Sequence, residues 1–140
     1  MTSKREDILD AVQTILASTA GVSGRVFRGR PYAARLEESP CIFLSWTNDV
    51  PDYDNLSTMD WVLQLKVVIV TRGDEADELA DPIAVSVYNL LMADRQLSGK
   101  AMDVLPGEQR MDIIEGDKPV GMLTGTWFIK HRTAQNTLDA

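Results

Sequence analysis

Residues 59–72 alternate between apolar and other side chains in the manner of a long β-strand. Side chains two positions apart share one side of a strand, and one side of this stretch is wholly apolar. That side comprises Trp61, Leu63, Leu65, Val67 and Ile69. The other side is mixed and comprises Val62, Gln64, Lys66, Val68 and Val70. We predict the middle strand of an antiparallel sheet, covered on the apolar side and either partly exposed or in contact with another subunit on the mixed side.

An amphipathic helix near the N-terminus is the first element predicted to cover this sheet. Ser3 and Glu6 stand at the two positions of a capping box, in which each side chain accepts a hydrogen bond from a free amide of the first turn. Apolar residues then recur three and four apart, from Ile8 to Leu16. Gly21 stands where a left-handed cap would end the helix.

A second helix is predicted after an acidic start. Residues 74–81 contain five carboxylates, which the positive end of a helix dipole tolerates. Pro82 leaves two alternatives: either Asp81 caps a helix that begins at Pro82, or a preliminary turn over residues 75–80 runs into a kink. The apolar stripe that follows ends near Ala93 and consists of Ile83, Val87, Leu90 and Leu91.

Four further strands are predicted around the central one. Residues 22–27 form a short edge strand and residues 41–47 a second strand, with Ile42, Leu44 and Trp46 on one face. Residues 109–115 and 121–132 form a closing hairpin around the turn residues 116–119. Residues 48–58 are too many for a tight hairpin, so this loop is either flexible or used for docking.

These elements predict an α+β domain over residues 1–132, with two helices on a mostly antiparallel sheet of four to five strands in the order α-β-β-β-α-β-β. Residues 133–140 follow as a polar C-terminal tail, which we expect to be loose in an isolated subunit. The length of 140 residues fits one domain, and 44% hydrophobic with 25% charged residues is the composition of an ordinary globular protein.

The charge balance argues against two classes of binding partner. Fourteen basic and 21 acidic residues give a net charge of −7, which disfavours nonspecific wrapping of nucleic acid or docking on an anionic membrane. There is no run of 18 apolar residues, and the N-terminus passes directly into the first helical pattern instead of a signal segment. We therefore expect an intracellular protein without a membrane partner.

Charged and exposed residues concentrate in three segments that are candidate interfaces. The basic segment holds Arg25, Arg28, Arg30 and Arg35, and it is either a solvated loop or a binding patch. The acidic loop holds Asp49, Asp52, Tyr53, Asp54 and Leu56, and the acidic helix start holds Asp74 and Glu75. Because opposite charges on one subunit favour head-to-tail contacts, we predict that the basic segment of one copy meets an acidic segment of the next.

Residues for catalysis are scarce. His131 is the single histidine and Cys41 the single cysteine, so any Ser-His or Cys-His nucleophilic pair would have to include His131. Cys41 could be its neighbour in the sheet, but nothing that flanks either residue resembles a nucleophile turn. We expect Cys41 to be a buried structural thiol. One Cys and one His cannot furnish a zinc site, and the acidic run over residues 74–81 lacks the spacing of a calcium loop. The sequence thus predicts no enzymatic activity, no metal and no cofactor.

The order of elements, together with several residues, resembles the tail terminator proteins of long-tailed bacteriophages, of the lambda minor tail protein U type. The resemblance lies in an N-terminal amphipathic helix, in Gly29, Arg30 and Pro31 before a strand that starts at Pro40, and in an acidic loop before a strand that opens with Trp61. An acidic helix start and a closing hairpin complete it. It spans nearly the whole chain.

The resemblance implies a structural virion protein with no catalytic residues. Six copies would form a ring on the head-proximal end of the tail tube, stop polymerisation of the tube protein and meet the head-tail connector protein. Genomic DNA would pass through the lumen without specific binding, and the negative charge either prevents phosphate adhesion there or only confers solubility. The alternatives are a head-to-tail connector or completion protein of similar fold, a cytosolic domain that binds a small ligand between helix and sheet, and a small hydrolase that uses His131.

Overall fold

The computed structural model describes residues 2–28, 39–52 and 57–140. Two α-helices and five β-strands make up these parts of the chain. In order they are α1 (Lys4–Leu16), β1 (Val26–Arg28), β2 (Cys41–Asp52), β3 (Thr58–Arg72), α2 (Ala76–Ala93), β4 (Asp103–Ile114) and β5 (Val120–Ala134), with a short 3-10 helix at Leu97–Gly99 before β4. The predicted α+β class and the order α-β-β-β-α-β-β are confirmed.

The five strands form one mixed sheet in the spatial order β1-β2-β3-β5-β4. β3 lies at the centre, as its apolar pattern predicts, and pairs antiparallel with β2 on one side and with β5 on the other. The β4 and β5 strands form the predicted hairpin. β1 pairs with β2 in parallel over three residues, so the sheet is mostly but not wholly antiparallel.

The α1 helix begins as the sequence predicts and ends earlier. The hydroxyl of Ser3 accepts a hydrogen bond from the Glu6 amide at 3.1 Å, which confirms the cap. The helix ends at Leu16 and not at Gly21, because Ser18 and Thr19 donate to carbonyls three residues back and tighten the chain into turns. Gly21 has a positive φ of 90° within the loop that follows.

The α2 helix runs through Pro82 without a break. It starts at Ala76, so Asp81 does not cap it. The alternative of a turn over residues 75–80 that leads into the helix is closer to the structure, but the helix is continuous from Ala76. Pro82 lacks the amide that would bond one turn back, and its exposed position lets water serve the freed carbonyl. The buried stripe of α2 consists of Ala76, Ala80, Ile83, Val87 and Leu91.

The β2 strand extends further than predicted, so the prediction of an eleven-residue loop over residues 48–58 is wrong. β2 continues to Asp52 and β3 resumes at Thr58, with pairing down to Asp52 opposite Asp60. A bulge between Trp46 and Asn48 shifts the register by one residue. As a result Ile42, Leu44 and Trp46 lie on the helix side before the bulge, whereas the residues that lie there after it are Asp49 and Pro51.

The main core lies between the two helices and the sheet. From β3 it takes Leu63, Leu65, Val67 and Ile69, as predicted, and it also buries Trp127 and Ile129 of β5. A smaller core on the other side of the sheet comprises Cys41, Phe43, Val68 and Val70. Cys41 is fully buried, as expected. Val68 and Val70 are buried as well, so only the other half of β3's mixed side is partly exposed.

The C-terminal residues contact the domain and are not loose. β5 continues to Ala134, two residues past the predicted end of the last strand. The amide of Ala134 donates to the carbonyl of Ala140, and the amide of Lys4 donates to the carbonyl of Leu138 at 2.8 Å. Because Lys4 opens α1, the tail supplies an acceptor to one of the amides that the first turn leaves free.

Candidate functional site

No described helix covers the sheet surface opposite α1 and α2, and half of that surface is only partly buried. We call this half the open sheet face. It comprises Val50 on β2, Val62, Gln64 and Lys66 on β3, Leu105 on β4, and Thr126, Phe128 and Lys130 on β5. The strand registers place all of these side chains on the side away from α1 and α2.

The open sheet face combines apolar and cationic groups. Val50 is 52% exposed, and Val62, Leu105 and Phe128 are intermediate in burial. Lys130 is exposed beside them and Lys66 is intermediate. An apolar centre with a polar rim is the composition of a protein interface, and an uncovered sheet face in a two-layer domain is a ready place for one.

An ion pair stands at the end of this face. Arg132 of β5 donates two hydrogen bonds to Asp60 of β3, at 2.6 Å from Nε and 3.1 Å from the terminal nitrogen. The two residues face each other in the strand register. These hydrogen bonds hold the pKa of Asp60 below its ordinary value; burial acts in the opposite direction, and the positive charge of Arg132 adds to the lowering.

Replacing Arg132 with Gln will raise the pKa of Asp60 toward its ordinary value. A carboxyl with a lowered pKa in the folded state stabilises that state above its unfolded pKa, and this contribution disappears as the pH falls through the folded pKa. The measurement is an NMR titration of the Asp60 carboxyl carbon in both proteins. Arg110→Gln is the control, because Arg110 pairs with Asp112, and an unchanged Asp60 titration in the Arg132 variant would contradict the assignment.

A buried polar cluster lies at the same end of the sheet, on the helix side. Nε2 of His131 lies 3.0 and 3.1 Å from the two carboxylate oxygens of Asp49, and these side chains are 3% and 5% exposed. Arg5 of α1 approaches the same carboxylate at 3.5 Å and lies over the ring of Trp46 at 4.3 Å. The cluster connects the start of α1 to two strands through charge.

Aromatic and hydroxyl groups complete this cluster. The ring of Trp61 stacks on His131 with centroids 6.3 Å apart and an angle of 13°. The Trp61 indole donates to Thr133 Oγ1 at 3.0 Å, and that hydroxyl donates to the carbonyl of Ala134. Nδ1 of His131 is buried without a hydrogen-bond partner. Since Asp49 accepts at Nε2, the imidazole has the orientation of a base held by a carboxylate, but its other nitrogen meets no described hydroxyl or thiol.

Cys41 and His131 are not neighbours in the sheet. Cys41 lies opposite Val70 and His131 lies opposite Trp61, which are nine positions apart along β3. That separation corresponds to about 30 Å along the strand. The two side chains also lie on opposite sides of the sheet, so they cannot form a nucleophilic pair.

The residues predicted to lie at interfaces occupy different environments in the structure. Arg25 donates to the carbonyl of Pro40, and Arg28 forms ion pairs of 2.6 Å with Glu6 and with Asp10 of its own α1. Asp52, Asp74 and Glu75 are exposed. The side chain of Asp49 is 5% exposed and lies in the polar cluster. Arg30, Arg35, Tyr53, Asp54 and Leu56 lie outside the described residues.

The internal pairing of Arg28 changes how the predicted contact between copies can be tested. Reversing Arg28 to Glu would place a third carboxylate beside Glu6 and Asp10 and would disturb α1 itself. The charge-pairing hypothesis stays a prediction.

The described residues contain neither a cluster of metal ligands nor a helix suited to cross a membrane. Within them no three His, Cys, Asp or Glu side chains converge as ligands for a metal ion. Neither of the two helices described above has the length and apolar character that crossing a membrane requires.

A comparison with models of known protein families and with curated proteins finds no match to this chain. The fold class is therefore established by the structure, and the family resemblance stays a prediction.

Proposed function

We propose that this chain is a structural subunit of the tail-terminator type, which assembles side by side into a ring, caps a phage tail tube and offers a surface to the head connector. The observation that carries the proposal is the open sheet face. A two-layer domain that leaves valine, leucine and phenylalanine side chains on an uncovered sheet gains free energy by association, because that apolar surface then leaves water.

The charges favour contact between unlike surfaces of two copies. Lys66 and Lys130 stand on the open sheet face, whereas Asp74 and Glu75 are exposed at the start of α2, on the opposite layer. A contact between two different surfaces is heterologous and closes into a ring when the rotation per subunit allows it. The net charge of −7 makes the ring acidic as a whole, which suits a lumen that DNA crosses without adhesion.

Purified protein should form closed rings with a central hole in negative-stain electron microscopy and a single oligomer mass in light scattering. Phe128→Asp should convert this oligomer into monomers, since it places a charge at the centre of the open sheet face. Lys66→Glu with Lys130→Glu is a second variant that leaves the apolar side chains in place and tests the charge contribution. Ser18→Asp is the matched control, because Ser18 is exposed in the loop after α1.

Circular dichroism of each variant separates loss of assembly from loss of folding. A wild-type protein that stays monomeric at high concentration would overturn the proposal, and a monomer that binds a small metabolite would support the ligand-binding alternative. Rings that persist in Phe128→Asp and in the double Lys variant would show that subunits meet through another surface.

A further inference from the structure

One edge of the sheet is open along half of its last strand. β4 is an end strand, and no described strand pairs with its outer side. Its first half is protected by Pro106 and by a bulge between Pro106 and Gln109. Residues 109–114 contain neither proline nor bulge, and Ile113 there is 51% exposed. An edge of this kind is a template for a further strand.

The flank of α2 extends beyond the strands that it covers. Ala76 lies above Gly121 and the ring of Tyr88 lies against Trp127 at 5.7 Å, so α2 follows β5. A helix about 10 Å across extends about 5 Å to each side of its axis and strands are about 4.8 Å apart, so the flank of α2 overhangs β4. Val85 and Tyr88 on this flank are 54% and 39% exposed.

A groove runs between this flank and β4. It is lined by Ala84, Val85, Tyr88, Gln109, Leu123 and Trp127. Its lining residues on β5 run from Leu123 to Trp127, which are four positions or about 13 Å apart, and this matches an extended segment of about four residues. We call it the α2–β4 groove.

Charge distinguishes the two ends of the α2–β4 groove. Asp81 lines it, and Asp77 lies one turn earlier on the same flank of α2. No lysine or arginine is among the described residues that line the groove. Asp77 and Asp81 form no ion pair with the part of the chain that the structure describes. The groove therefore has an acidic end and an apolar middle.

We propose that the α2–β4 groove binds an extended segment of a partner protein, which adds to β4 as a sixth strand. Alternate apolar side chains of this segment pack against Ala84, Val85 and Tyr88, and basic residues at one of its ends pair with Asp77 and Asp81. Main-chain hydrogen bonds to β4 supply affinity, and the side-chain pattern with its charged end supplies specificity. The groove lies on the layer opposite the open sheet face, so a substitution on that face leaves the groove in place.

The test uses a synthetic peptide of two lysines followed by alternating valine and threonine, added to the full-length protein. We expect amide NMR shifts in residues 109–114 and in the flank of α2, and weaker binding as salt is raised. A peptide with glutamates in place of the lysines should bind about tenfold more weakly, as expected for the loss of two exposed charge pairs. A peptide methylated at alternate backbone nitrogens should not bind, because it cannot pair with β4.

The double variant Asp77→Lys with Asp81→Lys should reverse the preference between the lysine and glutamate peptides. Asp112→Asn is the matched control, since Asp112 faces the other side of β4, and it should leave the preference unchanged. Equal binding of both peptides, shifts located away from β4, or no shift at about 1 mM peptide would each overturn the proposal. Phe128→Asp should bind the peptide as the wild type does, which separates this result from the test of assembly.

Discussion

Replacing Asp49 with Asn will lower the free energy of unfolding by about 3 kcal/mol, because it removes a buried charge that both the buried imidazole of His131 and the partly exposed guanidinium of Arg5 approach. Asp49 accepts from His131 at 3.0 Å and lies 3.5 Å from Arg5, and its side chain is only 5% exposed. The amide of Asn carries no charge and offers one acceptor oxygen to the two groups, where the carboxylate offers two. The measurement is urea unfolding, followed by tryptophan fluorescence.

Asp112→Asn is the matched control for this prediction. Asp112 pairs with Arg110 at 3.6 Å, and both side chains are more than half exposed, so the change should stay within about 0.5 kcal/mol. Both proteins must be compared at one protein concentration, because any assembly would add to the apparent stability. Equal unfolding midpoints for the two variants would show that the polar cluster does not stabilise the fold.

A double-mutant cycle tests whether the cluster acts as a unit. His131→Gln alone leaves the carboxylate of Asp49 without its closest partner, and His131→Gln with Asp49→Asn removes both ends of the interaction. We expect the double variant to lose about 1 kcal/mol less free energy of unfolding than the sum of the two single losses. Each single variant leaves one of the two side chains without its partner, whereas the double variant leaves neither. Additive losses would mean that the two residues act independently.

The sheet and its central strand could be predicted from the sequence because their signal is local. The alternation from Trp61 to Ile69 specified which side of β3 meets the core, and the turn residues before Val120 specified the hairpin. The parallel pairing of β1 with β2 carries no such signal, because Val26–Arg28 is too short for a pattern. The parallel direction of β1 relative to β2 was therefore visible only in the structure.

The candidate site was harder to predict, for a reason that the bulge in β2 illustrates. Continued alternation from Trp46 would put Val50 inside and Asp49 outside, whereas one inserted residue exchanges them. The only hint of this bulge in the sequence is the run Thr47-Asn48-Asp49, because asparagine and aspartate are rare within strands. The partnership of Asp49 with His131 then joins residues 82 positions apart, which no local pattern reveals.

Charge clusters were also an incomplete guide to interfaces. Arg28 belongs to the most basic segment of the chain, yet both of its ion pairs are with α1 of the same subunit. A cluster read along the sequence shows where charge concentrates and not which charges are already neutralised. The open sheet face, with few charges, was predicted instead from the mixed side of β3, where Val62, Gln64 and Lys66 alternate with core residues.

Replacing Gly121 with Ala will destabilise the fold by about 2 kcal/mol, because the new methyl group would meet the first turn of α2. An added Cβ would lie 2.8 Å from Cβ of Ala76, 2.8 Å from Cε of Met111 and 3.0 Å from Oγ1 of Thr71. The methionine end can move, but Ala76 is fixed on the helix backbone. The buried Thr71 hydroxyl also donates to the Ala76 carbonyl at 2.7 Å, so displacing α2 would strain this hydrogen bond as well.

Two other glycines provide a graded control for that effect. An added Cβ at Gly125 would lie 3.4 Å from the nearest atom, and one at Gly116 would meet nothing within 4 Å. We therefore expect the loss of stability in urea unfolding to decrease from Gly121→Ala through Gly125→Ala to Gly116→Ala, with the last near zero. Ala76→Gly should recover part of the loss in the Gly121 variant, because it removes the opposing methyl group. If Gly121→Ala were as stable as Gly116→Ala, α2 could not be packed against β5 as closely as described, and the overhang that forms the α2–β4 groove would lose its basis.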